Sequence, residues 1–230
     1  MSGYKISMYL VGITGGIASG KTEVAKVFKK LGARVISGDK LGQEVVKKNK
    51  LVLRRLVQVF SKSILNKNGN LNRKRLGELA FFSKSNIRKL NSIVHPHLLS
   101  SLKRQIKKLE RSKDVVVVDA ALIVEWGIQK QFDFLILVDS KRGNQLKRFC
   151  SSRKYSSNTA REIIRCQLPK KSKRRYADLV IDNNGNLKQL KEKARKVWSV
   201  IFALSRKKKK RSIPKNRTWK EGSVCPKSGS

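Results

Sequence analysis

Residues 15–22 read Gly-Gly-Ile-Ala-Ser-Gly-Lys-Thr. They satisfy G-x-x-x-x-G-K-[ST], the spacing of a phosphate-binding loop. The chemistry follows from the atoms. Backbone N–H groups of Gly16, Ala18, Ser19 and Gly20, continuing into Lys21, Thr22 and Glu23 at a helix N-terminus, can turn inward around a polyphosphate. Gly15 and Gly20 permit backbone geometry and close approach that a Cβ obstructs. Lys21 can reach the β- and γ-phosphates of a nucleoside triphosphate, and the Thr22 hydroxyl can ligate Mg²⁺.

Carboxylates stand where such a loop needs them. Asp39 closes the run Val35-Ile-Ser-Gly-Asp39, 18 positions after Lys21. It can accept the proton of an attacking hydroxyl, hold a magnesium-bound water, or cap a helix. Asp119 closes the apolar run Val115-Val-Val-Val-Asp119. It can hold Mg²⁺ through water or cap the next segment. Glu125, six residues on, can bind substrate or pair with a basic neighbour. Arg148 and Arg153 follow the fourth strand, where small kinases carry a lid whose arginines spread the charge of the transferring phosphoryl group. His95-Pro96-His97 is weak as a metal site, because it has no partner Cys or carboxylate at ligand spacing; structural or substrate-side roles suit it better.

The elements that must position these residues alternate between strand and helix. Strand patterns cover 8–13, 34–37, 114–119, 132–139 and 178–182. Helical spacing covers 21–31, 41–60, 73–82, 84–110, 144–153, 159–166 and 187–204, with a break at 167–171. Parallel strands joined by helical crossovers give a three-layer α/β domain. Its ligand crevice lies beyond the carboxyl ends of the strands, which is where Asp39 and the glycine loop meet. The strandless stretch 41–110 reads as a helical, substrate-facing insertion.

Composition bounds the rest. A chain of 230 residues, 39% hydrophobic, suits one α/β core. It carries 55 Lys and Arg against 15 Asp and Glu, for a net charge of +40. Residues 206–230 hold ten of the bases and one acid, without apolar periodicity. They read as a basic, disordered tail. Such a charge predicts non-specific attraction to nucleic acid, although solvated lysines spread over the core account for most of it. Cys150, Cys166 and Cys225 show no C-x-x-C spacing. That sparse set, a start unlike a signal peptide, and an apolar run at 9–13 too short to span a membrane predict a cytoplasmic protein.

Across residues 8–204 the chain resembles the dephospho-coenzyme A kinase family. The resemblance rests on ordered stretches: Gly12-Ile-Thr-Gly-Gly-Ile-Ala-Ser-Gly-Lys-Thr22, Leu31-Gly-Ala-Arg-Val-Ile-Ser-Gly-Asp39, Asn68-Gly-Asn-Leu-Asn-Arg73-Lys-Arg-Leu76, Arg88-Lys-Leu-Asn-Ser-Ile-Val-His95-Pro96, Leu122-Ile-Val-Glu125, Gln145 with Arg148 and Arg153, Gln167, and Ala177-Asp178-Leu-Val-Ile-Asp-Asn-Asn-Gly185. It implies a doubly wound P-loop kinase domain over 1–205, with the helical insertion at 41–110 and a lid at 142–170. It implies transfer from ATP, with Mg²⁺, to the ribose 3′-hydroxyl of dephospho-CoA. In that scheme Asp39 is the base, Arg148 and Arg153 are lid arginines, and Arg73, His95 and Glu125 bind substrate. Adenine lies near residues 183–185, Asn184 among them. Three departures stand out: Ser37 where the family usually has the first Asp of Asp-x-Asp, Gln43 where it has a basic residue, and Ala121-Leu-Ile for Pro-Leu-Leu. Another small-metabolite or nucleotide kinase, or an ATP-binding nucleic-acid-associated protein, are the competing functions.

Overall fold

The computed structural model describes residues 8–112, 114–153, 157–165 and 167–211. In chain order the elements are β1 (Tyr9–Thr14), α1 (Lys21–Lys30), β2 (Arg34–Ser37), α2 (Gly38–Lys48), α3 (Lys50–Phe60), α4 (Arg73–Ala80), α5 (Lys84–Leu109), β3 (Val115–Asp119), β4 (Phe134–Asp139), α6 (Arg142–Arg153), α7 (Ser157–Arg165), α8 (Lys170–Arg174), β5 (Leu179–Asp182) and α9 (Leu187–Arg211). The strands form one parallel sheet in the order β2-β3-β1-β4-β5.

Both faces of that sheet are covered, so its central strands are apolar on both sides rather than alternating. Leu10, Val116 and Val118 face a core shared with Leu41, Val45, Leu56, Leu98 and Leu102 of the helical insertion. Their neighbours Tyr9, Val11, Val115 and Val117 face the opposite way, against Val24 and Phe28 of α1 and Ala194 and Trp198 of α9. The valine run 115–118 alternates between the two cores because successive strand side chains point to opposite faces.

Three local outcomes differ from the sequence expectation. The helical stretch 41–60 is two helices, because Asn49 leaves the helical region at φ −99°, ψ 100°. Its side chain accepts from Leu51 N and Val52 N, capping α3. The break at 167–171 contains the start of a short helix, α8. The last helix continues to Arg211, so the expected tail begins inside the domain. There Lys208 pairs with Asp133 at 2.8 Å and lies 5.7 Å from the centre of the Tyr9 ring. Residues 212–230 lie outside the described residues, as do Cys166 and Cys225.

Candidate active site

Parallel pairing brings three strand ends together. Asp119 is in register with Ile13 on one side and Ser37 on the other. With strands about 4.8 Å apart, the loop after β1, the end of β3 and the start of α2 share one edge.

The glycine loop takes the shape its composition allows. Gly15 and Gly20 have φ of 151° and 101°, and Ala18 adopts the left-handed region at 52°. A Cβ on Gly15 would lie 2.2 Å from the carbonyl oxygen of Val138. A Cβ on Gly20 would lie 2.3 Å from the Asn183 amide nitrogen. That nitrogen donates to Ser19 O at 2.8 Å. Gly16 is crowded by buried Gln145, whose Nε2 would be 2.4 Å from its Cβ. Gln167 Oε1 accepts from Ile17 N at 2.9 Å. The loop is thus braced from β4, α6, the segment before α8 and the turn after β5. Sequence reasoning attached no bracing role to Gln145, Gln167 or Asn183. Their polar side chains gave no signal apart from the family stretches that contain them.

Lys21 lies over this loop, with Nζ donating to Gly16 O at 2.9 Å. Burial pushes its pKa down; the charges of Asp119 and Asp39 oppose that, and Lys173 adds to it. Asp119 is buried, which pushes its carboxyl up, while Lys21 and a hydrogen bond from Thr22 pull it back. That bond runs from Thr22 Oγ1 to Asp119 Oδ2 at 2.9 Å. The result is a pair of adjacent hard oxygen donors, a hydroxyl and a buried carboxylate, a donor set that suits Mg²⁺ completed by water and phosphate oxygens. Among the described residues no group of three or more His, Cys, Asp or Glu is arranged to hold a metal.

Asp39 is exposed in the first turn of α2, and its charge acts on both Lys21 and Asp119. It does not cap that helix. Ser37 does, accepting from Lys40 N at 3.3 Å. The serine therefore fills the helix-capping part that an aspartate could also fill.

The other expected residues divide. Asn184 lines an open pocket of about 540 Å³ with Asn144, Lys147, Arg148, Ser151 and Gly185. It is fixed there by accepting from Lys141 N and donating to Asp182. Arg148 lies at the same end of the sheet, beside that pocket. Its guanidinium donates to Ser140 Oγ at 3.2 Å, Asn183 O at 3.1 Å and Gly185 O at 3.4 Å. These bonds tie it to Ser140 after β4 and to the turn after β5. Arg153 ends α6, and its side chain lies outside the described residues. Glu23 pairs with Lys26 one turn along α1. Arg73 is exposed at the start of α4. His95 is buried on α5 with its ring edge-on to Trp126, 5.5 Å away, and burial pushes its pKa down to about 4. His97 faces Asn49 instead, so the two histidines do not converge on one ligand. Glu125 pairs with Lys173 at 2.6 Å, a partner hidden from sequence reasoning within the run Lys170-Lys-Ser-Lys-Arg-Arg175.

A five-stranded parallel sheet with its phosphate loop braced after the central strand defines a P-loop kinase. The solved structures agree. A Thermus thermophilus crystal structure matches 84% of this chain and 98% of its own, at 25% identity and TM-score 0.67. A shikimate kinase from Acinetobacter baumannii, at 15% identity and TM-score 0.50, shares the fold.

The sequence model of the dephospho-CoA kinase family matches residues 9–189, and the chain belongs to that family. Similar proteins include the dephospho-CoA kinase of Fusobacterium nucleatum, 36% identical over 85% of this chain and 100% of that one. The Arabidopsis thaliana dephospho-CoA kinase is 37% identical, covering 83% of this chain and 82% of its own. The solved dephospho-CoA kinase from Campylobacter jejuni aligns over 84% of this chain at TM-score 0.58. The chain is a kinase, and its family phosphorylates dephospho-CoA to CoA with ATP. The comparisons lend no support to the nucleic-acid function. Among the described residues no helix is long and apolar enough to cross a membrane.

Proposed function

We propose that this cleft moves the γ-phosphoryl group of ATP to the ribose 3′-hydroxyl of dephospho-CoA, with Asp39 as the proton acceptor. The observation that carries this assignment is geometric: Lys21 lies over the phosphate loop on Gly16 O, Thr22 is bonded to Asp119, and the pairing of Asp119 with Ser37 brings the start of α2, with Asp39, to the same sheet edge. A cation and carboxylates at one strand edge suit a site where a phosphoryl group is held and a hydroxyl is deprotonated. The two carboxylates have different surroundings. Asp119 is buried and bonded to Thr22, which suits a ligand position; Asp39 is exposed, which suits contact with an incoming substrate.

The loop N–H groups and Lys21 hold the phosphates and stabilise charge as it develops. Thr22 and Asp119 would hold Mg²⁺, which supplies charge neutralisation across the β- and γ-phosphates when bound. Asp39 takes the hydroxyl proton as the acceptor oxygen attacks in line. The pocket around Asn184 and Arg148 takes the nucleoside end of ATP, with Arg148 holding its rim. A cytoplasmic location agrees with the sparse cysteines of the sequence, which show no C-x-x-C spacing, and with this metabolic role.

The direct test is formation of CoA by the purified chain from ATP, Mg²⁺ and dephospho-CoA. Nucleoside monophosphates and shikimate serve as competing acceptors. Transfer to dephospho-CoA at a kcat/KM far above the others is expected. Preference for a monophosphate or for shikimate would overturn the acceptor assignment.

A further inference from the structure

A lysine in a run of surface bases is buried. Lys173 is 2% exposed, while its neighbours Lys171 and Arg174 are open to solvent. Its ammonium donates to Ala121 O at 2.8 Å and pairs with Glu125 Oε1 at 2.6 Å. Leu168 N also donates to that carboxylate oxygen, at 3.4 Å. The other oxygen, Oε2, is enclosed without a hydrogen-bond partner. The orientation of Glu125 therefore depends on α8 and the residues just before it.

The same lysine reaches the phosphate loop through its backbone partner. Ala121 O accepts a second hydrogen bond from Thr14 Oγ1 at 3.0 Å, and Ala120 N donates to Ile13 O at 3.1 Å. The segment after Asp119 is thus tied to the end of β1, immediately before Gly15. From the other side, Gln167 holds Ile17 N. Residues 167–173 consequently clasp two parts of the cleft: the tip of the phosphate loop through Gln167, and the 121–125 wall through Lys173. The charges of this pair are also felt at Lys21, Lys173 lowering its pKa and Glu125 raising it.

We infer that Lys173 is a positioning residue for phosphoryl transfer, holding the 121–125 wall at a fixed place relative to Lys21 and the phosphate loop. The inference rests on the proposed reading of the cleft, in which the acceptor enters between Asp39 and Lys21. A buried cation tied to two partners fixes geometry in a way a solvated lysine cannot. Removing one partner leaves the other buried without its counter-charge. Small displacements of a wall that orients the acceptor carry large rate penalties.

The test is a double-mutant cycle on the full chain: Lys173→Met, Glu125→Gln, the pair together, and Lys173→Arg. Melting temperature, kcat and both KM values are measured for each. Lys173→Met should lower kcat/KM for dephospho-CoA roughly 30-fold, the scale of a lost charge-assisted contact. The KM for ATP should stay within about twofold, because the loop and Lys21 are retained. The double variant should lose little more than the worse single one, and Lys173→Arg should recover most of the loss. A lower melting temperature with unchanged kinetics in the folded fraction would overturn the inference, reducing Lys173 to a stabilising residue. So would losses that multiply in the double variant. If Lys173→Met does not fold, Glu125→Gln and Lys173→Arg decide by the same kinetic split. Should the wild-type chain prefer another hydroxyl acceptor, the proposed substrate fails, and the same cycle run with that acceptor still decides the part Lys173 plays.

Discussion

Acidification from pH 7 to pH 5 should destabilise this protein through a single histidine. His95 is 9% exposed, packed edge-on to Trp126, and burial pushes it from 6.5 down to about 4. In the unfolded chain it takes up a proton near pH 6.5; in the folded chain it resists doing so until about 4. The unfolded state therefore binds more protons between those values, and stability falls as the pH drops through that window. From the two values the loss is about 2 kcal/mol by pH 5 and about 3 kcal/mol by pH 4. For a domain of this size the loss at pH 5 corresponds to roughly 4–8 °C in Tm. The assay is thermal unfolding of wild type and His95→Phe at pH 7, 6 and 5 in one ionic strength, with phenylalanine chosen to keep the ring contact with Trp126. The variant should lose markedly less Tm than wild type over that range. His97→Asn, at the neighbouring histidine that faces Asn49, should keep the wild-type slope. Parallel losses in wild type and His95→Phe would refute the reasoning, since His95 would then take up its proton without resistance from the fold.

The remaining expectations concern the cleft and the last helix. Asp39→Asn should cut kcat by about 10²-fold or more with ATP affinity nearly intact; Lys21→Ala should cost on the order of 10³-fold; and Ser37→Asp should change little, because either residue can cap α2. Single-turnover rates and ATP titration separate these cases, and loss of ATP binding in Asp39→Asn would make Asp39 a Mg²⁺ residue instead. Arg148→Met should raise the KM for ATP roughly tenfold and spare that for dephospho-CoA, because its three hydrogen bonds brace the nucleoside pocket rather than the transfer site; an equal rise in both KM values would contradict this. Truncation after Arg211 should leave Tm unchanged, whereas truncation after Ser205 removes the Lys208–Asp133 pair and should cost about 2 kcal/mol, between the scales of exposed and buried pairs. Denaturant unfolding of the two truncations makes the comparison.

The layers were legible because the signals for them are periodic and local. The apolar run 115–118 reads as a strand, and the spacing of Val24, Val27 and Phe28 reads as a helix with one apolar face; in the structure the strand is covered on both faces and α1 packs on the sheet. The glycine loop was legible because its residues have steric reasons to be what they are. Element ends were less so. Asn49 breaks a continuous apolar spacing by a side-chain cap, which outweighs helical periodicity at that one residue. The start of the basic tail was misjudged because lysine is a good helix former. A run of lysines carries no apolar stripe to announce a helix, yet Lys208 lies against Tyr9 and Asp133.

The site divides along a similar line. Thr22 and Asp119 meet because parallel pairing sets the end of β3 beside the end of β1, a juxtaposition that the sequence left open for Asp119. Arginines and lysines were harder to assign, for a reason particular to this chain. With 55 bases in 230 residues, the presence of one at a given position says almost nothing about its task; only its partners do. Arg148, a lid arginine on the family resemblance, is held by two backbone carbonyls and a serine. Lys173, one base in the run 170–175, is buried on Glu125. Distinguishing them depends on which carbonyls and carboxylates the fold brings within reach, a long-range fact that Lys173 and Ala121, 52 positions apart, could not reveal by spacing. In a strongly basic kinase the informative residues are therefore the few acidic ones. On the proposed reading Asp39, Asp119 and Glu125 mark the cleft, and the cations to test first are those they meet, Lys21 and Lys173.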